Sequence, residues 1–238
     1  GLGWPDRLIR LDGEPLSGPD SLYDQLSKLT AADRVTLEVE GANHDLRDVT
    51  FSLQVWPGSV VAGFFGFPFV IGLGYIVAGA TVFMARRRTI AGRIFGAFCA
   101  ALALTTGTLF DLYTTHVLVP AFVAGLALAG GSLVHLALVF PRPSRLVRRW
   151  RWLPALVYVP PVGLALAALG GLSGQGQPWI YEVASRLLHL YAALGMLLWV
   201  GMLLRRRLLA ESLAVREQVR IMLLGVVIGG FPLVIWFV

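Results

Sequence analysis

Carboxylates are scarce over most of this chain. Beyond residue 50 only four remain, among fifteen arginines, so that part of the chain carries a net charge of +11. The first 50 residues instead hold ten acidic and five basic residues, a net charge of −5. This asymmetry predicts a polar module over residues 1–57 and a cationic domain over residues 58–238.

Cysteine and catalytic motifs are scarce as well. Cys99 is the only cysteine, which excludes an intrachain disulfide, and its apolar neighbours favour a packing role. HExxH, a Walker loop, a dinucleotide fingerprint and the kinase motifs are all missing. The GLSG stretch around Ser173 resembles the rhomboid protease motif, but this serine lies in a Gly-rich loop. The residues of this chain form no convincing catalytic set, and we predict neither a cofactor nor a metal. Whether the protein that carries the chain is an enzyme stays open.

Apolar residues, by contrast, are abundant. They make up 56% of the chain, and the mean hydropathy of +0.71 lies far above that of soluble globular proteins. A helix needs about 20 predominantly apolar residues to cross a bilayer. Six stretches qualify, which predicts an α-helical polytopic membrane protein. The predicted spans are residues 59–84, 90–110, 115–140, 153–170, 179–204 and 221–238.

Arginines alternate between the connections of these spans. Fourteen of them lie in three connections, around residues 86–93, 142–151 and 205–220, while the connections DLYTTH and GGLSGQGQPW contain none. Basic residues of short loops stay in the cytoplasm, so we predict cytoplasmic arginine connections and an extracytoplasmic N-terminal module. The same argument assigns the basic pI to a lipid bilayer partner and not to nucleic acid.

The N-terminal module has the pattern of a small α+β unit. DRLIRLDG reads as a strand that ends in a turn at Asp12 and Gly13. Residues 17–29 predict a short amphipathic helix, with Ser17 as the first residue of a capping box. RVTLEVEG and DVTFSLQV alternate with period two and predict an antiparallel hairpin.

This order of elements resembles the C-terminal half of a PDZ domain, in particular the bacterial form with a GD-x-I-x-x-x-(N/D)-G signature. The matching residues are Asp6, Leu8, Ile9, Asp12 and Gly13, with Pro5 in place of the usual glycine. The resemblance implies an N-terminally truncated PDZ-like module, with the peptide-pairing strand upstream of Gly1. Leu22 and Leu26 would then remain as the groove for a peptide, and packing of both leucines against the hairpin is the favoured alternative.

Ionisable residues inside predicted spans are costly and mark candidate sites. Glu182, Arg186 and His189 recur at i, i+4 and i+7 near the outer end of the fifth predicted span. Asp111 and His116 lie at the same predicted end, so the five side chains form a candidate ligand pocket with pH-sensitive histidines. The structural alternative is an interfacial Glu–Arg pair that only lowers the cost of insertion.

The remaining histidines allow weaker hypotheses. Metal binding by His116 and His189 would require the fold to bring further ligands to them. His135 lies in the third predicted span, where a single histidine is more often a hydrogen-bonded structural residue. We therefore name no metal ligand.

Two stretches resemble the multi-span sensor region of bacterial membrane histidine kinases: HLALVFPRPSRLVRRWRWLP and VREQVRIMLLGVVIGGFP. Some members, including the competence-type quorum-sensing kinases, also place a PDZ-like module outside the membrane. The matching residues are His135, Leu138, Phe140, Pro141, Arg216, Gln218, Leu224, Gly225 and Pro232.

That resemblance implies a function in two-component signal transduction. It implies a sensory input region in the bacterial cytoplasmic (inner) membrane, a homodimer, and an extracytoplasmic peptide or small ligand. It also implies that further spans and a cytoplasmic histidine kinase output follow Val238. A membrane transporter fragment is the alternative, since GFFGFPF and GGFP allow kinked helices, and a PDZ-bearing scaffold is another.

Overall fold

The chain folds into a small sheet module followed by a bundle of long apolar helices. The computed structural model describes residues 6–41, 43–140, 145–172, 178–209, 217 and 219–220. Five of its helical segments are long and apolar enough to cross a membrane. These features confirm the predicted class of helical membrane protein with an α+β segment in front. The PDZ-like identity of that segment stays a prediction.

The module is a four-stranded antiparallel sheet with one helix. Its strands lie in the order β2-β1-β3-β4. The elements are β1 (Arg7–Leu11), β2 (Glu14–Pro15), α1 (Pro19–Leu26), β3 (Arg34–Glu40) and β4 (Leu46–Ser52).

A tight turn joins β1 to β2, a strand that the sequence did not predict. Asp12 and Gly13 both have positive φ, at 48° and 85°, the conformation of a type I′ hairpin turn. Leu11 pairs with Glu14 across it. The Asp12 carboxylate also accepts a hydrogen bond of 2.7 Å from the Thr36 backbone N–H on β3. The predicted turn is therefore confirmed, and it ties three strands together.

The two faces of the sheet differ in polarity, as the alternation in β3 requires. Val35, Leu37 and Val39 point to one face, where α1 packs through Leu22 and Leu26. The opposite face carries two cross-strand ion pairs and a threonine pair: Arg7–Glu40 at 3.9 Å, Arg10–Glu38 at 3.3 Å and Thr36–Thr50 at 3.1 Å. Arg47 pairs with Val39 in the ladder and therefore lies on the side of the apolar face, where it contacts Asp6. His44, in the hairpin turn, lies 2.6 Å from Glu40.

The start of α1 differs from the predicted capping box. Gly18, not Ser17, is the N-cap, because Pro19 occupies the first helical turn. The Ser21 hydroxyl accepts from the backbone N–H groups of Ser17 and Gly18, at 3.0 and 3.2 Å. It also donates to the Gly18 carbonyl at 2.7 Å. Ser21, inside the first turn, thus accepts the backbone N–H groups of the two residues that precede α1.

The long helices follow the predicted spans with shifted ends. The five segments that could cross a membrane are Gly58–Arg86, Ile90–Tyr113, Val119–Val139, Leu153–Leu172 and Ile180–Arg205. The sixth predicted span, residues 221–238, lies outside the described residues. In order, the elements are α2 (Gly58–Val61), a π-helical turn (Ala62–Gly66), α3 (Phe67–Arg86), α4 (Ile90–Thr108), a 3₁₀ turn (Asp111–Tyr113), α5 (Val119–Val139), α6 (Arg145–Arg149), α7 (Leu153–Leu156), α8 (Val159–Leu172) and α9 (Pro178–Leu209).

Interruptions in the spans have local causes. The third span begins at Val119 instead of residue 115, since His116 adopts φ 60° and breaks the chain direction. The fourth is divided at Val157 and Tyr158, just before two prolines that cannot donate backbone hydrogen bonds. The break at His116 leaves a polar turn at one end of the bundle. The division at Tyr158 places a tyrosine at the other end.

Helix α5 is the centre of the bundle and packs against α4, α8 and α9. Small residues allow the helix backbones to approach closely. A Cβ atom added to Gly79 on α3 would lie 2.7 Å from the Cβ of Cys99 on α4. Cys99 is buried in this contact, which confirms its predicted packing role.

The antiparallel packing gives the bundle two chemically different ends. The module end comprises residues 56–66, 109–119 and 178–189, next to the sheet module. The arginine end comprises residues 84–93, 145–158 and 203–209. The described parts of all three arginine-rich connections thus lie at one end, as their alternation predicted.

Candidate functional site

The predicted ligand residues all lie at the module end, on two separate elements. Asp111 and His116 belong to the connection between α4 and α5, and Glu182, Arg186 and His189 belong to the first third of α9. An apolar cluster at this end joins α5 to α9 and includes Phe122, Tyr181 and Leu188. Leu109 and Leu112, from the α4–α5 connection, pack against the same cluster.

Asp111 is buried, and its carboxylate is fully engaged. It accepts a hydrogen bond from the Thr115 hydroxyl and one of 2.6 Å from the Leu118 backbone N–H. Its backbone carbonyl accepts from the N–H of His116 at 2.9 Å. Buried carboxylates are retained where several donors converge on them. In this structure Asp111 therefore closes the turn that precedes α5.

His116 completes the same turn and stays exposed. Its ring nitrogen Nδ1 lies 3.0 Å from the Thr114 carbonyl oxygen, which fits the N–H donor tautomer at that nitrogen. The outer part of the ring is open to the surroundings. His116 is thus accessible from outside the bundle, whereas Asp111 shapes the turn next to it.

Glu182 and Arg186 form an ion pair on one helix face, as their spacing predicts. The side chain of Glu182 is 19% exposed and that of Arg186 is 78% exposed. Val183 and Leu187, near Arg186 on the same helix, are exposed as well. This placement allows Arg186 to extend its long side chain toward the headgroup region.

His189 lies one turn further along α9. Its Nδ1 is 2.8 Å from the Ser185 carbonyl oxygen, and its ring centroid is 6.2 Å from that of Phe122 on α5. His189 thus contacts the apolar cluster to which the α4–α5 connection also packs. Among the described residues, however, no hydrogen bond or ion pair joins Asp111 or His116 to the three α9 residues.

The module contacts this end directly, which the sequence did not predict. The Tyr23 hydroxyl on α1 donates a hydrogen bond of 3.1 Å to the Thr114 carbonyl. That carbonyl also lies next to the ring of His116. A side chain of the module and a candidate ligand residue thus share one acceptor.

A set of aromatic rings reinforces the contact. Trp56, in the linker after the sheet, lies edge-to-face on Phe64 at 5.8 Å and on Phe110 at 6.3 Å between ring centroids. Phe64 meets Tyr113 at 5.9 Å, and Phe65 meets Phe110 at 5.5 Å. We call these five residues the aromatic belt. The sequence did not predict the aromatic belt, because the π-helical turn that positions Phe64 and Phe65 has no clear sequence signal.

No protein-family model matches this chain, and no curated protein or solved structure matches it either. The arrangement of its own residues therefore has to support any functional proposal.

The two leucines of the predicted groove lie in the module. Leu22 and Leu26 are partly buried and pack against Leu11, Val35 and Val39, as the core-packing alternative predicted. The use of these leucines by a peptide stays a prediction. Residues 1–5, where the PDZ resemblance begins, lie outside the described residues.

A second polar group lies inside the bundle, nearer the arginine end. The Tyr158 hydroxyl lies 3.2 Å from Nδ1 of His135 and 3.5 Å from the buried Ser132 hydroxyl. Tyr191 on α9 donates a hydrogen bond of 2.6 Å to the Val157 carbonyl. His135 is therefore a hydrogen-bonded residue within the packed bundle, as predicted, and these bonds hold the α7–α8 turn against α5 and α9.

The site has donors and acceptors for a polar ligand but no metal-binding group. Within the described ranges, no three His, Cys, Asp or Glu side chains come together to hold a metal ion. The exposed groups at the module end include the imidazoles of His116 and His189, an ion-paired guanidinium and aromatic rings. Such a surface suits hydrogen bonding and stacking with a peptide or small polar molecule.

Proposed function

We propose that this chain is the membrane-embedded input region of a bacterial signal-transduction protein of the sensor histidine kinase type. In this proposal the module end faces the outside of the bacterial cytoplasmic membrane and receives a peptide or small polar ligand. The signal then passes through the bundle to a cytoplasmic output domain outside this chain. The resemblance to sensor kinases suggests the class, and the geometry of α9 supports it.

Helix α9 is the observation that carries the proposal. It runs without a break through 32 residues, from Pro178 to Leu209. At 1.5 Å per residue this length is about 48 Å, well beyond the hydrocarbon core of about 30 Å. One rigid element therefore holds Glu182, Arg186 and His189 near one end and exposed arginines at the other.

The module supplies the input to that element. Tyr23 and the aromatic belt attach the sheet module to the α4–α5 connection. This connection and the first third of α9 share an apolar cluster. A ligand that binds one packing of this cluster more tightly than another would shift the equilibrium between the two bundle states. The size of this shift is set by the difference in the ligand's affinity for the two states.

The test is signalling by the natural gene product that carries this chain. We expect phosphate incorporation from labelled ATP in membrane vesicles to change when the peptide fraction of conditioned medium is added. In the variants Glu182→Ala and Arg186→Ala this response should fall at least tenfold at equal expression. The matched control is Leu190→Ala, which removes exposed apolar atoms from the same helix and should leave the response unchanged.

Two outcomes would contradict the proposal. If both charge variants kept an unchanged response at normal expression, the proposed ligand pocket at Glu182 and Arg186 would be wrong. Phosphate incorporation absent under all conditions, together with ligand accumulation inside the vesicles, would instead favour a transporter. The π-helical turn near the start of the first span is the feature that favours this alternative.

A further inference from the structure

The arginine end carries a group of exposed cations. Nine arginines at this end, from three separate connections, have described side chains, and all nine are exposed. None of them forms an ion pair with a carboxylate of the described residues, whereas Arg7, Arg10, Arg47, Arg186 and Arg220 do. We call the following set the cationic rim: Arg86, Arg87, Arg88, Arg93, Arg148, Arg149, Arg151, Arg205 and Arg207.

The chain itself has too few carboxylates to neutralise this rim. No acidic residue occurs between Asp48 and Asp111 or between Asp111 and Glu182. Near the arginine end of the sequence only Glu211 and Glu217 remain, and Glu217 already pairs with Arg220 at 3.5 Å. The counter-charges for most of the fourteen arginines must therefore come from outside this chain.

One segment of the rim combines cations with aromatic rings. Arg148, Arg149, Trp150, Arg151 and Trp152 are consecutive and all exposed. The two indole rings meet edge-to-face with their centroids 5.0 Å apart. Tryptophan prefers the headgroup level of a bilayer, and guanidinium groups bind phosphate through two parallel hydrogen bonds.

We propose that the cationic rim is a binding surface for anionic phospholipid headgroups, with residues 148–152 as its main contact. The arginines of the rim lie at the ends of apolar helices on one side of the bundle, so the groups expected next to them are the phosphates of one leaflet. The indole pair of Trp150 and Trp152 holds this segment at the depth of the headgroups, where the arginines reach the phosphates. This proposal concerns lipid selectivity and stands independently of any signalling role.

The test measures lipid selectivity of the full chain reconstituted in phosphatidylcholine. Electron spin resonance of spin-labelled phosphatidylglycerol and phosphatidylcholine gives their relative association constants with the protein. We expect a clear preference for phosphatidylglycerol that weakens with added salt, as an electrostatic contact requires. Each arginine near an anionic surface contributes about a fivefold preference. The triple variant Arg148→Gln, Arg149→Gln and Arg151→Gln should therefore lower the preference at least fivefold.

Two further variants make the test specific. The triple variant Arg7→Gln, Arg10→Gln and Arg47→Gln changes the net charge equally, but its arginines lie in the module and are already paired, so the preference should persist. Replacing the three rim arginines by lysine keeps the charge and should retain most of the preference. This variant also guards against misfolding as the cause of a loss.

The proposal would be overturned if the unmodified chain associated equally with phosphatidylglycerol and phosphatidylcholine. It would also be overturned if the triple variant of the rim kept the full preference for phosphatidylglycerol, or if the triple variant of the module lost as much of it. Displacement of phosphatidylglycerol by millimolar soluble glycerol phosphate would also overturn it. That result would identify a site for a free phosphate and not a lipid surface.

Discussion

Gly131 shows how one residue sets the contact between two spans. A Cβ atom added there would lie 2.5 Å from Cδ1 of the Tyr158 ring, so the ring packs directly on the backbone of α5. We expect Gly131→Ala to displace Tyr158 and to lower the free energy of unfolding by about 1–3 kcal/mol, as overpacking does. Denaturant unfolding in detergent measures this change.

Gly163 on α8 is the matched control for that substitution. No atom lies within 4 Å of the position that its Cβ would take. Alanine also forms helix more readily than glycine, so Gly163→Ala should leave the stability unchanged or raise it slightly. If both variants lost the same free energy of unfolding, the packing of Tyr158 would not depend on the absence of a Cβ atom at Gly131.

At the residue scale, the sequence predicted contacts between neighbours on one helix better than contacts that depend on a turn or on distant residues. Spacing alone predicts the pair of Glu182 and Arg186, because i and i+4 are neighbours on any helix. The role of Asp111 could not be predicted, since its partners Thr115 and Leu118 depend on a turn with positive φ at His116. Tyr158 was missed because its partners lie more than twenty residues away in the sequence.

At the scale of elements, the module is joined to the bundle by few polar contacts. Tyr23 on α1 provides one of them, through its hydrogen bond to the Thr114 carbonyl. We expect Tyr23→Phe to remove this bond while keeping the ring. The backbone of residues 114–116 should then exchange its amide hydrogens faster, because local opening costs less free energy. Hydrogen exchange followed by mass spectrometry measures this rate in the purified chain.

A second hydroxyl of the module serves as the control for Tyr23. The Ser27 hydroxyl donates to the Asp24 carbonyl, a contact confined to the module. Ser27→Ala should leave exchange at residues 114–116 unchanged. If Tyr23→Phe also leaves it unchanged, the tyrosine hydroxyl contributes nothing to the attachment and the aromatic belt alone accounts for it.

Elements with strong periodicity were predicted well, and those set by packing were not. The alternation in residues 34–40 and 46–52 predicts the hairpin of β3 and β4, since one face must be apolar. β2 has only two residues and exists through its pairing with β1. The π-helical turn at Ala62–Gly66 and the division between α7 and α8 likewise have no periodic pattern of their own.

At the scale of the whole molecule, charge and hydropathy predict the order of spans but not their packing. Five of the six predicted spans correspond to long apolar helices in the described part of the chain. The central position of α5, with α4, α8 and α9 around it, follows from close contacts at small residues. Such contacts depend on shape, and every span offers similar small residues in its sequence.

The predicted orientation of the molecule rests on the same charge pattern and can be tested by labelling. Lys28, in the module, and Arg88, at the arginine end, are both exposed, whereas the native Cys99 is buried and should give little background. Because arginine-rich connections stay in the cytoplasm, Lys28→Cys should react with a membrane-impermeant maleimide in intact cells. Arg88→Cys should react only after the membrane is permeabilised. The opposite pattern would reverse the orientation, and it would place the predicted ligand residues on the side where an extracytoplasmic ligand cannot reach them.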